Sequence, residues 1–118
     1  MKLFIADDSE GMRERIRELV SAIDGVELVG KAGDVQSSIK GIMDLKPDVV
    51  ILDIRMPGGN GLDVLRKVKG HPQKAPLIIV LTNYPFPEYK EIAIKLGADH
   101  FFDKAAEFDE VQKVLERM

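Results

Sequence analysis

The chain has 118 residues, of which 45% are hydrophobic and 31% charged, a size and composition typical of one globular domain. Two His and no Cys exclude a disulfide scaffold and a cysteine nucleophile, and leave a structural zinc site almost without ligands. A net charge of −3 argues against nonspecific nucleic-acid binding, and no apolar run approaches the ~20 residues of a membrane span. The N-terminus does not resemble a signal peptide, so we expect a cytoplasmic domain without membrane contact.

Short apolar runs alternate with amphipathic stretches along the whole chain. The runs at residues 2–6, 49–53 and 77–81 are almost uniformly apolar and predict buried strands. The runs at residues 26–31 and 99–103 are more polar and predict edge strands. Apolar residues at helical spacing after each run predict five helices.

Several helix ends have a clear sequence signal. Ser9 and Asp34 are the predicted N-caps of the first two helices, because their side chains accept hydrogen bonds from free amide groups in a first helical turn. Pro47 ends the second helix, and Gly97 ends the fourth. Residues 57–61, which are rich in Gly, predict a loop.

The strict alternation of strands and helices predicts an α/β fold. Crossovers between parallel strands are right-handed and place helices on both faces of a parallel sheet. With the three apolar strands central and the two polar strands at the edges, the pattern fits a doubly wound, flavodoxin-like sheet of order 2-1-3-4-5. We find no internal repeat or domain boundary, so the predicted domain covers residues 1–118.

Polar side chains follow four of the five predicted strands. Asp7 and Asp8 follow the first strand, Asp53 ends the third, Thr82 follows the fourth, and Lys104 follows the fifth. In an open parallel sheet these positions meet at the edge where ligands bind. Carboxylates this close raise one another's pKa unless a cation intervenes, and Mg²⁺ prefers oxygen ligands. The first turn lacks the glycines of a dinucleotide site, and its acids would repel a pyrophosphate.

Each of these residues also has an ordinary structural explanation. Taken singly, Asp8 is as good a helix cap as a metal ligand. Lys104 alone would be a solvated charge, and Thr82 alone would be an ordinary strand end. The glycines of residues 57–61 do not have the spacing of a phosphate-binding P-loop. What favours a functional site is that these residues converge from distant parts of the sequence.

The chain resembles the receiver domains of two-component response regulators over essentially its full length. Any one matching feature is weak, because acid pairs and lysines are common. Together and in order, each at a strand end, they are specific. The matching features are the pair Asp7-Asp8, the block Asp53-Ile54-Arg55-Met56-Pro57 followed by Gly61, then Thr82, and Lys104 three residues beyond Phe101.

The resemblance implies a phosphorylation-controlled binding module. Asp53 is then the phosphoacceptor, which takes a phosphoryl group from the phosphohistidine of a sensor histidine kinase or a phosphotransfer protein. Asp7, Asp8, Asp53 and the backbone carbonyl of Arg55 are the implied Mg²⁺ ligands. In this reading the chain is a signalling domain and not an enzyme, and its only chemistry is its own phosphoryl transfer and dephosphorylation.

The resemblance also implies how the signal is passed on. Lys104 and Thr82 contact the phosphoryl group, and Thr82 and Phe101 change arrangement together as a switch. The fourth helix, fifth strand and fifth helix then form the face that binds a downstream protein. Direct binding of nucleic acid by this chain is not expected.

Three residues near the implied phosphoryl site tune access to it and the lifetime of the acyl phosphate, namely Arg55, Asn83 and Tyr84. Asn83 stands where the family usually has a small residue. Lys104 is followed by Ala105, whereas the family usually has a proline there, often in a cis bond. A cis bond before Ala105 would cost ~2.5–4 kcal/mol, so either the site carries that cost or the loop differs locally.

Two further functions stay open beside the receiver. A phosphatase with an aspartyl nucleophile usually has a second acid two residues later, and here that position is Arg55. A degenerate receiver that acts as a static scaffold would not need all the site residues. Met1 opens into the first strand and Met118 closes the fifth helix, so we expect a stand-alone receiver. A chain cut from a longer regulator stays open as the alternative.

The histidines and the paired phenylalanines have structural explanations. His71 precedes Pro72 in a predicted turn, and His100 lies on an edge strand, so both are expected to be structural. Phe101 and Phe102 point to opposite faces of the fifth strand. One of them is therefore expected in the core and the other against a helix or solvent.

Overall fold

The computed structural model describes residues 1–70 and 74–118, in which strands and helices alternate along the chain. None of the helices in these residues is long and apolar enough to span a bilayer. The predicted fourth and fifth strands are β6 and β7 of the structure. In chain order the elements are β1 (Lys2–Ala6), α1 (Glu10–Ser21), β2 (Glu27–Ala32), α2 (Val35–Leu45), β3 (Val49–Leu52), β4 (Arg55–Met56), β5 (Gly59–Asn60), α3 (Gly61–Lys69), β6 (Leu77–Thr82), α4 (Pro87–Lys95), β7 (His100–Asp103) and α5 (Phe108–Arg117).

The main sheet is parallel throughout and has the strand order β2-β1-β3-β6-β7. This is the predicted order 2-1-3-4-5, so the doubly wound, flavodoxin-like fold is confirmed. β1 and β3 are neighbours, and Ala6 of β1 lies beside Leu52 of β3. The residues that follow these two strands are therefore neighbours at the carboxyl edge of the sheet.

Alternate residues of the central strands contribute to two separate cores, one on each face. Phe4 and Val50 belong to the core covered by α2, α3 and α4. Ile5 and Ile51 belong to the core covered by α1 and α5. The predicted cover of helices on both faces is thus confirmed, and the carboxyl edge lies between two packed layers.

The segment after β3 differs from the loop predicted for residues 57–61. β4 and β5 pair antiparallel in a short hairpin, and α3 begins at Gly61. Gly58 (φ 86°) and Gly59 (φ 142°) adopt backbone angles that favour glycine, so the chain reverses between the two short strands. The glycines predicted as loop residues are therefore a tight turn and the first residue of a helix.

The predicted helix caps are confirmed. The Ser9 hydroxyl accepts a hydrogen bond from the Met12 amide at 3.1 Å, and the Asp34 carboxylate accepts one from the Ser37 amide at 2.8 Å. Beyond the end of α4, Gly97 has φ 106°, which agrees with its predicted role as a helix stop.

The two phenylalanines of β7 pack on opposite faces of the sheet, one against each core. Phe101 is 8% exposed and lies in the core under α2, α3 and α4. Phe102 packs against the opposite core and stacks on His100, with 5.6 Å between ring centroids. The prediction for this pair, and the structural role predicted for His100, agree with this packing. The role predicted for His71 lies outside the described residues.

Candidate functional site

Three carboxylates meet at the carboxyl edge of the sheet. Asp7 and Asp8 follow β1 and Asp53 follows β3, and one oxygen of each lies within 4.8 Å of the others. Asp7 is 2% exposed and Asp53 is 4% exposed, whereas Asp8 is exposed to solvent. The cluster therefore has a buried pair of acids and one acid that opens outward.

Lys104 links the two buried acids. It follows β7, and its Nζ lies 2.7 Å from Asp7 Oδ2 and 2.9 Å from Asp53 Oδ2. The Lys104 residue is itself only 5% exposed. A buried charge is tolerated only when it is paired and hydrogen-bonded, and one ammonium here serves two carboxylates.

Main-chain amides hold the second oxygen of each buried acid. Asp7 Oδ1 accepts from the Ser9 amide at 2.9 Å, and Asp53 Oδ1 accepts from the Ile54 amide at 2.7 Å. Each carboxylate thus has one oxygen on the backbone and the other on Lys104. This arrangement fixes the orientation of both groups before any ligand arrives.

The charges of the cluster shift two pKa values. Burial raises the pKa of Asp53, and the charge of Asp7 adds to this, although the hydrogen bond and charge of Lys104 oppose it. Burial alone would lower the pKa of Lys104, but its hydrogen bonds to Asp7 and Asp53 and their charges outweigh burial and raise it. The ammonium therefore stays charged throughout the neutral range.

Gly61 packs directly against the backbone of Asp53. Its amide donates to the Ile54 carbonyl at 2.5 Å, and a Cβ on Gly61 would overlap the Asp53 carbonyl oxygen. The first turn of α3 can approach Asp53 this closely only because residue 61 has no side chain. The sequence showed this glycine as part of a matching block but not the contact that requires it.

The Thr82 hydroxyl is completely buried and takes part in a local turn. Its Oγ1 accepts from the Tyr84 amide at 3.0 Å, and the residue is 0% exposed. Thr82 thus lies at the end of β6 as expected, with its hydroxyl bonded to the segment that leads into α4.

The residues expected to control access lie in and beside a polar cleft. The Arg55 guanidinium stacks on the Tyr84 ring, 4.2 Å from its centroid. The cleft has a volume of about 520 Å³, and its lining includes Asp8, Arg55 and Tyr84. Asn83 is exposed beside Tyr84. The access roles of these residues stay predictions.

The segment after Lys104 bears on the question raised by Ala105. Within residues 1–70 and 74–118 every peptide bond is trans, including the bond that joins Lys104 to Ala105. The Ala105 amide donates to Asp103 Oδ1 at 2.9 Å and the Glu107 amide to the Asp103 carbonyl at 2.7 Å. The site therefore does not carry the cost of a cis bond before Ala105, and the loop after Lys104 differs locally instead.

One further residue, which the sequence did not single out, contacts the acid pair. Arg13 lies on α1, and its Nη1 donates to the Asp7 carbonyl oxygen at 2.7 Å. The available signal was its place in the first turn of α1, six residues after Asp7, from which a long side chain reaches back over the preceding loop.

The donor atoms of the cluster suit a hard cation. All three groups within 4.8 Å of one another are carboxylates, and hard divalent cations prefer oxygen ligands. The exposed carboxylate of Asp8 leaves one side of the cluster open to water.

Comparison with known proteins identifies the family. The family model "Response regulator receiver domain" matches residues 3–116. The chain is 33% identical over 117 residues to the response regulator GacA of Pseudomonas syringae pv. syringae (strain B728a), covering 98% of this chain and 53% of that protein. It is 36% identical over 121 residues to the transcriptional regulatory protein BtsR of Salmonella typhi, covering 100% and 48%. The chain thus spans about half the length of these curated relatives.

Solved structures agree with this match. The response regulator domain of Thermotoga maritima CheB superposes with a TM-score of 0.87 at 25% identity, over 99% of this chain and 92% of that one. A LuxR-family DNA-binding response regulator from Staphylococcus aureus superposes with a TM-score of 0.89 at 28% identity, over 98% and 96%. The chain therefore belongs to the receiver domain family of two-component response regulators.

Proposed function

We propose that Asp53 is the phosphoacceptor of this domain and that Mg²⁺ assists the transfer. The observation that carries the proposal is the bridge made by Lys104, whose Nζ lies 2.7 Å from Asp7 and 2.9 Å from Asp53. Burying a lysine and two acids carries a desolvation cost that their attraction need not repay, so stability alone is a weak explanation of this arrangement. A fixed ammonium beside Asp53 is placed to neutralise the charge of a phosphoryl group there.

The proposed transfer takes a phosphoryl group from a phosphohistidine of a sensor histidine kinase or a phosphotransfer protein. An oxygen of the Asp53 carboxylate attacks phosphorus, the phosphorus–nitrogen bond breaks, and the electron pair stays on the imidazole, which then takes a proton from water. Such reactions depend mainly on positioning and on neutralisation of charge. Lys104 supplies a fixed ammonium, and the Ile54 amide holds the nucleophile in orientation through its bond to Oδ1.

The residues that would hold Mg²⁺ are the carboxylates of Asp7, Asp8 and Asp53 and the backbone carbonyl of Arg55. The three carboxylates fit this role because they present a cluster of oxygen donors that is open on the side of Asp8. When bound, Mg²⁺ supplies positive charge that offsets the negative charge of the transferring phosphoryl group.

We propose that the phosphoryl group is sensed through Thr82. The Thr82 Oγ1 accepts from the Tyr84 amide, and the hydroxyl proton can be donated to a phosphoryl oxygen. When the side chain moves toward the phosphoryl group it pulls on the Tyr84 amide and so on the segment leading into α4, and Phe101, which lies in the adjacent core, changes arrangement with it. The readout face is then α4, β7 and α5, where a downstream protein binds.

The phosphatase alternative is not proposed. The position of its second acid is occupied by Arg55, whose guanidinium stacks on Tyr84. We therefore propose that the domain signals through its own phosphorylation rather than turning over phosphate esters.

Intact mass spectrometry after incubation with Mg²⁺ and a small acyl phosphate donor tests the phosphoacceptor. We expect one phosphoryl adduct on the wild type and none on Asp53→Asn. Asp24→Asn is the matched control, because Asp24 is an exposed acid in the turn before β2, and it should be modified like the wild type. An adduct that persists in Asp53→Asn, or none on the wild type from this donor or a panel of kinases, contradicts the proposal.

Amide exchange across residues 82–104 tests the switch. Phosphorylation of the wild type should change exchange there. In Thr82→Ala the adduct should still form while the change is lost, and Thr82→Ser, which keeps the hydroxyl, should behave like the wild type. Identical responses in the wild type and Thr82→Ala would rule out this route of coupling.

A further inference from the structure

Arg13 reaches back from the first turn of α1 to the acid pair. Its side chain is half-buried, and its Nη1 donates to the main-chain carbonyl oxygen of Asp7 at 2.7 Å. The helix does not need this residue as a cap, because the Ser9 hydroxyl already accepts from the Met12 amide at 3.1 Å. The guanidinium is thus directed at the acid pair rather than at its own helix.

The bond from Arg13 acts on the peptide that joins the two acids. Asp7 is held from other directions, since its amide donates to the Ala32 carbonyl at 2.9 Å and its carboxylate binds Lys104 at 2.7 Å. Asp8 is exposed, and its Cα follows the orientation of the Asp7–Asp8 peptide. Arg13 holds that peptide by its carbonyl and so determines where the Asp8 carboxylate can reach.

Gly33 leaves the space that the guanidinium occupies. A Cβ on Gly33 would lie 3.1 Å from Arg13 Nη1, 3.5 Å from Asp8 Cα and 3.6 Å from the Asp7 carbonyl oxygen. The first distance is too short for a relaxed contact, whereas the other two are ordinary. A methyl group at this position would therefore shift the guanidinium by a few tenths of an ångström while leaving its charge in place.

We propose that Arg13 is a positioning residue for the cation site, whose bond to the Asp7 carbonyl holds Asp8 where Mg²⁺ requires a ligand. This rests on the proposed function, in which Asp7, Asp8 and Asp53 hold Mg²⁺. Mg²⁺ demands near-octahedral geometry at about 2.0–2.1 Å, whereas Ca²⁺ accepts flexible geometry at about 2.3–2.6 Å. Loss of positioning therefore weakens Mg²⁺ binding more than Ca²⁺ binding.

The charge of Arg13 and its hydrogen bond act in opposite directions. A positive group beside the acids repels a bound cation, so removal of the charge alone strengthens the binding of both ions. Removal of a group that orients metal ligands weakens binding, typically by about 10–100-fold. A loss of metal affinity on replacing Arg13 thus indicates that its hydrogen bond positions the ligands, whereas a gain indicates that its charge dominates.

Calorimetric titration of the unphosphorylated protein with Mg²⁺ and with Ca²⁺ tests the proposal. We expect Arg13→Met to bind Mg²⁺ about 10-fold more weakly than the wild type, with a smaller loss for Ca²⁺. Gly33→Ala should lose Mg²⁺ affinity in the same direction although it keeps the charge. Arg17→Met is the matched control, since Arg17 pairs with Glu14 on α1, and it should stay within about twofold of the wild type.

Unchanged or tighter Mg²⁺ binding by Arg13→Met overturns the proposal, and so does an equal loss for the two ions. In the double variant, Gly33→Ala should cause no further loss of Mg²⁺ affinity beyond that of Arg13→Met, because the guanidinium that it displaces is absent. Additive losses of Mg²⁺ affinity would therefore also overturn the proposal. A wild type that binds neither ion contradicts the metal part of the proposed function, whereas normal wild-type binding with unaffected variants contradicts this inference alone.

Discussion

Helices α3 and α4 are each nine residues long. α4 comes after β6, and α3 comes after β3 and the β4–β5 hairpin; both β3 and β6 end at the functional site. α3 buries five residues, and Asn60 and Asp63 form a capping box at its start. α4, which the structure describes in full, buries Ala93 alone, and its N-cap residue Phe86 makes no side-chain hydrogen bond. The helix after Asp53 therefore has more buried residues and a better-capped start than the helix after Thr82.

The difference in packing between α3 and α4 corresponds to two different requirements on a signalling domain. A phosphoacceptor must be held in place, because misplacement of a reacting group by ~1 Å can cost about 100-fold in rate. A readout element must have two arrangements of similar free energy, and such elements come from the less stable parts of a structure. The buried face and capping box of α3 suit the first requirement, and under the proposed function the single buried residue of α4 suits the second.

Removal of Lys104 should have the largest effect on the fixed region. Lys104→Met leaves Asp7 and Asp53 buried without their cation, and we expect it to lower the free energy of unfolding by about 3–5 kcal/mol near neutral pH. Urea denaturation measures this loss. A loss below about 1 kcal/mol, the range of exposed ion pairs, would show that the bridge does not hold the site together.

The same variant has a predicted pH dependence. Burial already raises the pKa of Asp53, and loss of Lys104 removes the charge that opposes this rise. The folded variant then binds a proton more tightly than the unfolded chain, so its free energy of unfolding should increase as the pH falls through the raised pKa of Asp53 toward the ordinary carboxyl pKa. The wild type keeps the contribution of Lys104 until the pH rises through the raised pKa of its ammonium. The difference in free energy of unfolding between the wild type and Lys104→Met should therefore become smaller in acid. A difference that stays constant with pH contradicts the role given to Lys104 in holding the charge of Asp53.

Gly61→Ala should break the close contact between α3 and Asp53. The added Cβ overlaps the Asp53 carbonyl oxygen, so the backbone must shift, and we expect a loss of about 2–3 kcal/mol in urea denaturation. Gly11→Ala is the matched control, because a Cβ there meets Ser9 Oγ at 3.9 Å, and it should leave stability unchanged or slightly increased. Similar losses in the two variants would mean that the contact at Gly61 carries no special strain.

The helix caps offer a way to narrow the difference between α3 and α4. Asn60→Ala removes the capping box of α3 and should cost about 1 kcal/mol. Asn60→Ala should also make the amides at the start of α3 exchange faster, so that their exchange rates become closer to those of the amides at the start of α4. Phe86→Ala removes no cap hydrogen bond and should cost about half as much or less. Equal losses of stability in Asn60→Ala and Phe86→Ala would contradict the difference in capping between α3 and α4.

The smallest expected effect concerns the exposed acid. Asp8→Ala removes a charge that repels Asp7 and Asp53 in the metal-free protein, so it should raise the Tm by about 2 °C. It should also weaken the rise in Tm that Mg²⁺ produces, because one of few carboxylate ligands is lost. Thermal unfolding with and without Mg²⁺ measures both. A rise with Mg²⁺ that equals that of the wild type would count against Asp8 as a ligand.

The fold and the acids of the site could be predicted because their signals are local. Buried strands end where Asp7, Asp53 and Thr82 begin the polar segments, and the topology of the sheet then places these ends side by side. Apolar content separated the three central strands from the two edge strands, since strands buried on both faces are uniformly apolar, and the doubly wound pattern then gave the strand order.

The contacts that hold the site could not be predicted, because they depend on helix starts, side-chain rotamers and strand ends that no local sequence pattern fixes. Lys104 was a candidate ligand of a phosphoryl group, but its bridge between two acids depends on the reach of β7 across the sheet. The contact of Gly61 with Asp53 depends on where α3 starts. The bond of Arg13 depends on a rotamer that the helical pattern does not fix.

The single buried residue of α4 also bears on how such domains diverge. Substitutions at exposed positions usually change stability by less than about 0.5 kcal/mol, so most of α4 can vary in sequence while the fold persists. Changes near Asp53 must satisfy the buried acids, Lys104 and the close approach of α3 at once. If the proposed function holds, a lineage of duplicated copies can therefore acquire new binding partners through α4 while it inherits one phosphoryl chemistry unchanged.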